Sequence, residues 1–387
     1  MSARLGCVLL VVGLQLLPGC ATTRRARPSR DRVSKIVEAP LRFVFIDLGQ
    51  ADAMLIVYRG KTLLMDAGES RTPEDADKFH VIAQRLEELT GKRHVDFFVL
   101  SHYHRDHVGD GKELTGLFGL IESDEVTVGT MIDRGPDNFG ESATKGETQR
   151  SYEKFVPLWL KSGKVQSHRV VTVGEKIDLG EGLAIDVVAA NGNGLLEALA
   201  KNSPAELDAW PASENDYSVA LKFTFGDFEL FAGGDLTGLT QHRDFGGRHE
   251  GYHDIESSTA ERVGDVEVYR ANHHGSAHSS NACFMSVLSP EVSIISAGDN
   301  NYGHPSNKAF DAMASTGKVF VTGGADPKVR AHVEKSIVGG DVTVLVDETG
   351  QRYSVNGKDL RSKSEEQEAA QRPDRPLKCV GENVAAH

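Results

Sequence analysis

Seven residues, Ser101-His102-Tyr103-His104-Arg105-Asp106-His107, constrain this chain more than any other stretch. Three imidazoles and a carboxylate follow directly on an apolar run, residues 95–100, that reads as a buried strand. The backbone carrying them is rigid on one side and open on the other, as a metal site requires. His102 and His104, two apart in an extended turn, can point the same way and grip one ion. Asp106 and His107, entering the next helix, point to a second. A solvated polar loop is the plain alternative.

A divalent ion used for chemistry needs three or four protein ligands and an open position, so the loop cannot supply everything for two ions. Asp235, at the end of a strand after Ala232-Gly233-Gly234, can bridge two ions through its two oxygens. His273 and His274 follow a strand and precede Gly275-Ser276, and at least one should face the strand ends where His102 sits. His273 is the expected ligand, with His274 the alternative. His304, before Pro305 and a helix start, could bind metal, donate a proton to a leaving oxygen, or serve only the fold. Asp66 ends the strand Leu63-Leu64-Met65, where its expected work is to accept hydrogen bonds that orient the loop. Asp47, Gln50 and Asp52 lie in a turn at the same edge, as turn formers or as a further polar wall. Asn215, Asp216 and Ser218 open a later hairpin on that edge. His80, His94, His168, His242, His249, His253, His278 and His332 lack convergent partners in sequence and read as surface or core histidines.

The surrounding pattern is strand-rich. Residues 41–47, 54–58 and 62–65 make a small meander, and Thr72, Pro73 and Asp75 mark a helix start whose apolar face is Phe79, Ile82, Leu86 and Leu89, stopped by Gly91. A second hairpin runs from Val219 to Ala232 around Gly226-Asp227, followed by short strands at 266–269 and 292–296, a helix at 281–288, and a helix capped by Ser306. Strands at 342–346 and 352–355 close the folded part. Tyr152, Phe155 and Trp159 have helical spacing against Pro157, and 170–173 and 183–188 read as strands. The Gly, Asn, Ser and Pro stretch at 191–214 has the length of a lid or insertion. Two halves, each with strands first and helices after, predict an α/β fold with two sheets face to face and helices outside.

The ends carry different information. Residues 5–17 are an apolar stretch after Arg4, too short to span a bilayer, and Leu17-Pro18-Gly19-Cys20 resembles a lipoprotein cleavage site despite Pro18. The expectation is a signal peptide over 1–20, acylation of Cys20, an exported protein held on a membrane, and a basic flexible linker over 21–40. An ordinary signal peptide is the alternative. The folded domain is then 41–357, and 358–387 a charged tail, disordered or weakly helical. Beyond Cys7 and Cys20, the cysteines are Cys283 and Cys379, whose pairing an oxidising compartment permits. The formal charge of -13, from 43 basic against 56 acidic side chains, argues against an extensive surface for duplex nucleic acid.

Six motifs in order resemble the hydrolase domain of the ComEC-type competence proteins within the metallo-β-lactamase fold superfamily. They are Asp47-Leu48-Gly49-Gln50-Ala51-Asp52, residues 101–107, Asn215-Asp216-Tyr217-Ser218, Gly234-Asp235, His273-His274-Gly275-Ser276 and Asn301-Tyr302-Gly303-His304-Pro305. The resemblance implies a four-layer αββα sandwich of mixed sheets and a dinuclear site, zinc first and manganese second. Its ligands carry over as His102, His104, Asp106, His107, Asp235 and His273. The sequence departs at Ala51, where a glycine is usual, and in lacking a convincing histidine between the metal loop and Asp235; Ser218 is expected on that side. The membrane channel of a competence protein is also missing from the chain. The expected activity is hydrolysis by a metal-activated water, with Asp106 and His304 in catalytic roles, on a small or short phosphodiester. A lactam, lactone or thioester hydrolase, and a lipid-anchored binding module with a non-catalytic metal site, are the alternatives.

Overall fold

The described residues form seventeen strands, most of them short alternating or wholly apolar runs: β1 (Leu41–Phe45), β2 (Met54–Tyr58), β3 (Lys61–Met65), β4 (His94–Val99), β5 (Thr127–Asp133), β6 (Val165–Val170), β7 (Ala184–Ala189), β8 (Ala220–Phe225), β9 (Phe228–Ala232), β10 (Gln241–Phe245), β11 (Arg248–Tyr252), β12 (Val268–Arg270), β13 (Val292–Ile295), β14 (Lys318–Val321), β15 (Val342–Val346), β16 (Arg352–Val355) and β17 (Lys358–Arg361). The computed structural model describes residues 39–379 apart from 73–74, 76, 136–145, 195–211, 246–247, 365–366, 368–369, 371 and 373. The expected signal peptide, Cys20, nearly all of the basic linker and most of the 191–214 insertion lie outside the described residues.

Nine strands form one sheet in the order β17-β16-β15-β1-β2-β3-β4-β5-β6, and six form another in the order β14-β13-β12-β9-β8-β7. Each sheet is mixed. The first is antiparallel as far as β3 and parallel from β3 to β6. The second is parallel from β14 to β9 and antiparallel from β9 to β7. Parallel strands end together on one side, so Asp66 after β3, the 101–107 loop after β4, Asp235 after β9 and His273 after β12 all emerge at carboxyl ends. Open α/β sheets bind ligands at such ends.

Three apolar clusters define four layers. Between the sheets, Phe43, Ile56, Leu63 and Val344 meet Leu221, Phe223, Phe228 and Ile294. On the outer face of the larger sheet, α1 (His80–Thr90), α3 (Gly116–Glu122) and α4 (Glu147–Ser162) bury Ile82, Leu120 and Trp159 against Leu64 and Phe98; α2 (Arg105–Val108) belongs to the metal loop. On the outer face of the smaller sheet, α5 (Ile255–Val263), α6 (Ala282–Leu288) and α7 (Asn307–Ala314) bury Ile255, Phe284 and Met313 against Phe231 and Tyr269, with α8 (Arg330–Val333) beside them. The fold is the αββα sandwich that the sequence predicts.

Several boundaries differ from expectation. The first helix starts at His80 rather than near Thr72, where Thr72 Oγ1 donates to Asp75 Oδ2 at 2.7 Å; Gly91, at φ 70°, does stop the helix. The helix of Tyr152 and Trp159 runs through Pro157. The strand expected at 170–173 lies at Val165–Val170, and β5 and β14 have no counterpart in the sequence reading. The tail also needs correction. Its first residues form β17, Lys363 N donates to buried Glu267 at 3.1 Å, Arg375 pairs with Asp265 at 3.0 Å, and Cys379 forms a disulfide with Cys283. Specific backbone and ionic partners hold a segment that apolar periodicity could not reveal.

Phe43 bridges the two sheets, its ring centroid 5.3 Å from Phe223 and 5.9 Å from Phe228. Truncating a buried aromatic removes its burial and leaves a cavity, so Phe43→Ala should cost about 3–5 kcal/mol in urea unfolding. A loss below about 1 kcal/mol would show that the sheets do not share this core.

Candidate metal centre

The metal loop is held from below before it presents any ligand. Asp66 Oδ1 accepts Ser101 N at 2.8 Å, and Asp66 Oδ2 lies 3.0 Å from His107 Nδ1. Gly68 lets the Asp66 turn pack against the loop, since a Cβ there would stand 1.8 Å from the Asp106 carbonyl oxygen. Asp52 N donates to that same carbonyl at 2.9 Å, which ties the first turn to the loop. Ser101 Oγ lies 3.0 Å from His102 Nδ1, leaving His102 Nε2 aimed into the site. On the outer side, Glu214 accepts Tyr103 N at 2.9 Å and pairs with buried Arg134 at 2.6 Å.

The second sheet supplies the opposite wall. Ser218 Oγ accepts Asp235 N at 3.1 Å, so Ser218 holds the bridging candidate by its backbone. Asp235 Oδ1 stands 3.0 Å from His107 Nε2, while Oδ2 stands 3.7 Å from both His102 Nε2 and His273 Nε2. His273 and His274 both adopt left-handed backbone, at φ 49° and 52°, which turns consecutive side chains into the same cleft. His274 Nδ1 lies 2.8 Å from the Ser296 carbonyl, so it donates there and leaves Nε2 unprotonated in the neutral ring. Nε2 is 3.3 Å from Asp106 Oδ2.

Two convergent groups result. Asp52, His107, Asp235 and His274 offer ligand atoms all within 4.8 Å of one another, and so do His102, His104 and Asp235. In the first group Asp52 Oδ1 and Oδ2, His107 Nε2, Asp235 Oδ1 and His274 Nε2 are buried without a hydrogen bond. Some stand at ion-pair distance, yet they are not aligned on one another. Buried polar atoms left so are costly, and a shared cation satisfies them all at once. The residues present therefore fit divalent ions. Asp52 and Asp66 face the fixed cation Arg270, whose Nη2 lies 2.8 Å and 3.1 Å away, whereas the ion-pair partners of Asp106 and Asp235 among the described residues are imidazoles.

Burial and the nearby carboxylates divide the imidazoles. Burial opposes charging His107, but Asp235 and Asp66 outweigh it and hold the ring well above the ordinary value. Burial likewise opposes His274, which Asp235, Asp52 and Asp106 raise to about 9. His273 falls to about 4, because burial prevails over Asp235. Burial would raise Asp106, but the His274 hydrogen bond and His107 hold it far below the usual carboxylate range.

The sequence candidates sort by position. His102, His104, Asp106, His107, Asp235 and His273 come together. His274, the alternative to His273, lies in the group of His107, and Asp52, read as a turn former or further polar wall, lies in the same group. Gln50 Nε2 reaches His304 Nδ1 at 3.3 Å, and the His304 ring lies 5.3 Å from that of His273. Asn215 Nδ2 is 3.3 Å from His273 Nε2, on the side where a further histidine was sought. Asp47 stays at the turn, accepting Gly49 N at 3.0 Å, and Ser276 engages His278. Arg270 was missed. Its signal is a charge inside the buried run Val268-Tyr269-Arg270-Ala271, which demands carboxylates nearby. His80, His94, His168, His253 and His332 bond Asp124, Thr127, Asp133, Asp216 and Asp311 instead of the cluster; the side chains of His242 and His249 lie outside the described residues.

Two mixed sheets inside two helical layers, with histidines and aspartates gathered at the strand ends, decide the fold. It is the αββα arrangement that the resemblance to the metallo-β-lactamase fold implies. The chain is 24% identical over 280 residues to ComE operon protein 3 of Bacillus subtilis strain 168, spanning 69% of this chain and 30% of that protein. The resemblance to ComEC-type proteins is thereby supported, over less than a third of the relative's length. No protein-family model matches the chain. Among solved structures, the metallo-β-lactamase fold protein YhfI from Bacillus subtilis is similar at 12% identity and TM-score 0.42, covering 73% of this chain and 96% of that one. A diphosphatase of the PhnP family is similar at 13% identity and TM-score 0.38, covering 74% and 95%. Scores of this size assign no activity. Among the described residues no helix is long and apolar enough to cross a membrane.

Behind the histidine pair, Glu256 accepts Asn272 Nδ2 at 2.8 Å, Ser280 N at 2.7 Å and Asn281 N at 2.8 Å. Burial prevails over these donors and lifts its carboxyl from 4.5 to about 8. Between those values the unfolded chain has lost a proton that the folded chain keeps, so stability falls as pH rises through the window. Glu256→Gln has no such proton. Its deficit against the parent in urea unfolding should shrink between about pH 5 and about pH 8. A deficit constant with pH would show Glu256 to be ionised in the fold.

Proposed function

We propose that the chain is an exported, lipid-anchored hydrolase that uses two divalent ions, zinc first and manganese second, to cleave a small or short phosphodiester. The observation that carries the hydrolase part is the place of Asp235 in two convergent groups of ligand atoms, the first of which is buried without hydrogen bonds. His102, His104, His273 and Asp235 Oδ2 would hold one ion, and Asp106, His107, His274 and Asp235 Oδ1 the other, with Asp52 beside them. Ions bound there lower the pKa of water and neutralise charge on an oxygen at the reacting centre.

The protein's own groups do the rest. Asp66 receives His107 Nδ1 and the Ser296 carbonyl receives His274 Nδ1, so both rings present Nε2 to the site. Arg270 neutralises part of the charge on Asp52 and Asp66 within the inner wall. His304 stands beside His273 and His274 at the open side, where it can contact a substrate oxygen. The phosphodiester reading draws on the ComEC-type resemblance, and the acidic surface favours a short substrate over a duplex. Export is supported by the leader-like amino terminus and by the paired Cys283 and Cys379.

The test is a substrate panel on the full chain supplied with zinc, offering a bis-aryl phosphodiester, a lactam and a lactone. Phosphodiester turnover is expected. Replacing groups that merely orient a ligand costs about 10–100-fold, so Asp106→Ala should lower kcat at least about 100-fold. Turnover of the lactam or lactone without the phosphodiester would reverse the substrate assignment, and no loss in Asp106→Ala would remove the site.

A further inference from the structure

Gln50 occupies the turn after β1, buried, with one end of its amide against the second sheet's loops. Gly298 N donates to Gln50 Oε1 at 3.4 Å. The approach depends on glycine, since a Cβ at 298 would stand 2.4 Å from Gly49 Cα and 2.6 Å from Gln50 N. With the oxygen so engaged, the amide nitrogen is the end that meets His304 Nδ1, at 3.3 Å. The flipped amide would set its NH2 against the Gly298 N–H, donor against donor, and its oxygen against the ring. An amide nitrogen can only donate, so Nδ1 must accept, and the proton of the neutral ring sits on Nε2.

The ring has little freedom to adopt another arrangement. Asn300 Oδ1 accepts His304 N at 3.2 Å, Asn300 Nδ2 donates to His304 O at 2.7 Å, and Asp326 N donates to the same carbonyl at 3.0 Å. One face stacks on His274 with centroids 5.9 Å apart, and His273 lies 5.3 Å away. His304 Nε2 makes no hydrogen bond among the described residues, and His304 joins neither convergent ligand group.

We infer that Gln50 is a positioning residue that holds His304 as the Nε2–H tautomer, so that His304 donates a hydrogen bond to a non-bridging oxygen of the substrate's phosphoryl group. The inference deepens the hydrolase reading above and rests on it for the phosphoryl group. A neutral Nε2–H ring cannot ligate a cation or accept a proton at that nitrogen. It can stabilise charge gathering on a phosphoryl oxygen, where a preorganised donor has its largest effect. His304 keeps its proton throughout. The role differs from protonation of a leaving oxygen, which the sequence alone left open.

The experiment uses the full chain reconstituted with zinc and labelled with nitrogen-15 in histidine. Long-range proton–nitrogen correlation spectra report the tautomer of each ring, and His304→Gln assigns the His304 signals. The parent should show Nε2–H. Gln50→Glu keeps an acceptor for Gly298 but offers a carboxylate to Nδ1, so it should show Nδ1–H. On a bis-aryl phosphodiester the same variant should lose about 100-fold in kcat with unchanged zinc content, the cost of one preorganised donor. Gln50→Leu, which leaves both tautomers open, should fall between the two. Nδ1–H in the parent, or a switched tautomer with unchanged kcat, would overturn the inference. A parent that shows Nε2–H yet cleaves only the lactam would sink the phosphodiester reading and support the role of Gln50 in fixing the ring.

Discussion

Asp235 stands between two sets of ligand atoms, with Oδ1 3.0 Å from His107 Nε2 and Oδ2 3.7 Å from His102 and His273, and the surroundings are arranged to keep it there. Its backbone N–H is fixed by Ser218, and its burial leaves cations and imidazoles as the groups that can balance its charge. Were the carboxylate to swing away, each set would lose the Asp235 oxygen that faces it. Isolated charges are not stable in such an interior, and under the proposal above a divalent ion in each set would offset the carboxylates.

The sandwich makes this convergence cheap in structural terms. Each sheet changes from antiparallel to parallel pairing at the strand that leads into the site, β3 in one and β9 in the other. Chain ends that would otherwise leave on opposite sides are thereby brought to one edge. The apolar layer between the sheets fixes their spacing, so loops from residues 101 and 273 meet although far apart in the chain. Outer helices cover the remaining apolar faces and contribute caps such as Asn281 and Ser306.

The layers, and most strands near the site, were legible because burial on one or both faces leaves a plain apolar pattern; β2, β9, β15 and β16 fall where that pattern puts them. The cluster was legible for a different reason, since three imidazoles and a carboxylate after a buried strand have few other uses. Three things were not. Which of His273 and His274 joins which group depends on two left-handed residues in succession, and backbone sign leaves no mark on residue identity. Arg270 resembled an ordinary strand charge until Asp52 and Asp66 were seen around it. In the tail, Lys363, Arg375 and Cys379 are held by Glu267, Asp265 and Cys283, single contacts without period. The fixed amide of Gln50 belongs to the same kind, because it follows from a glycine in the other sheet.

The claim on which all of this turns is that one aspartate joins two cations. Crystals of the zinc-loaded chain, measured on both sides of the zinc absorption edge, locate the ions without reference to activity. Two anomalous peaks flanking the Asp235 carboxylate, about 3.5–4 Å apart, are the predicted result. One peak clear of Asp235, or none in the cluster at saturating zinc, would contradict it.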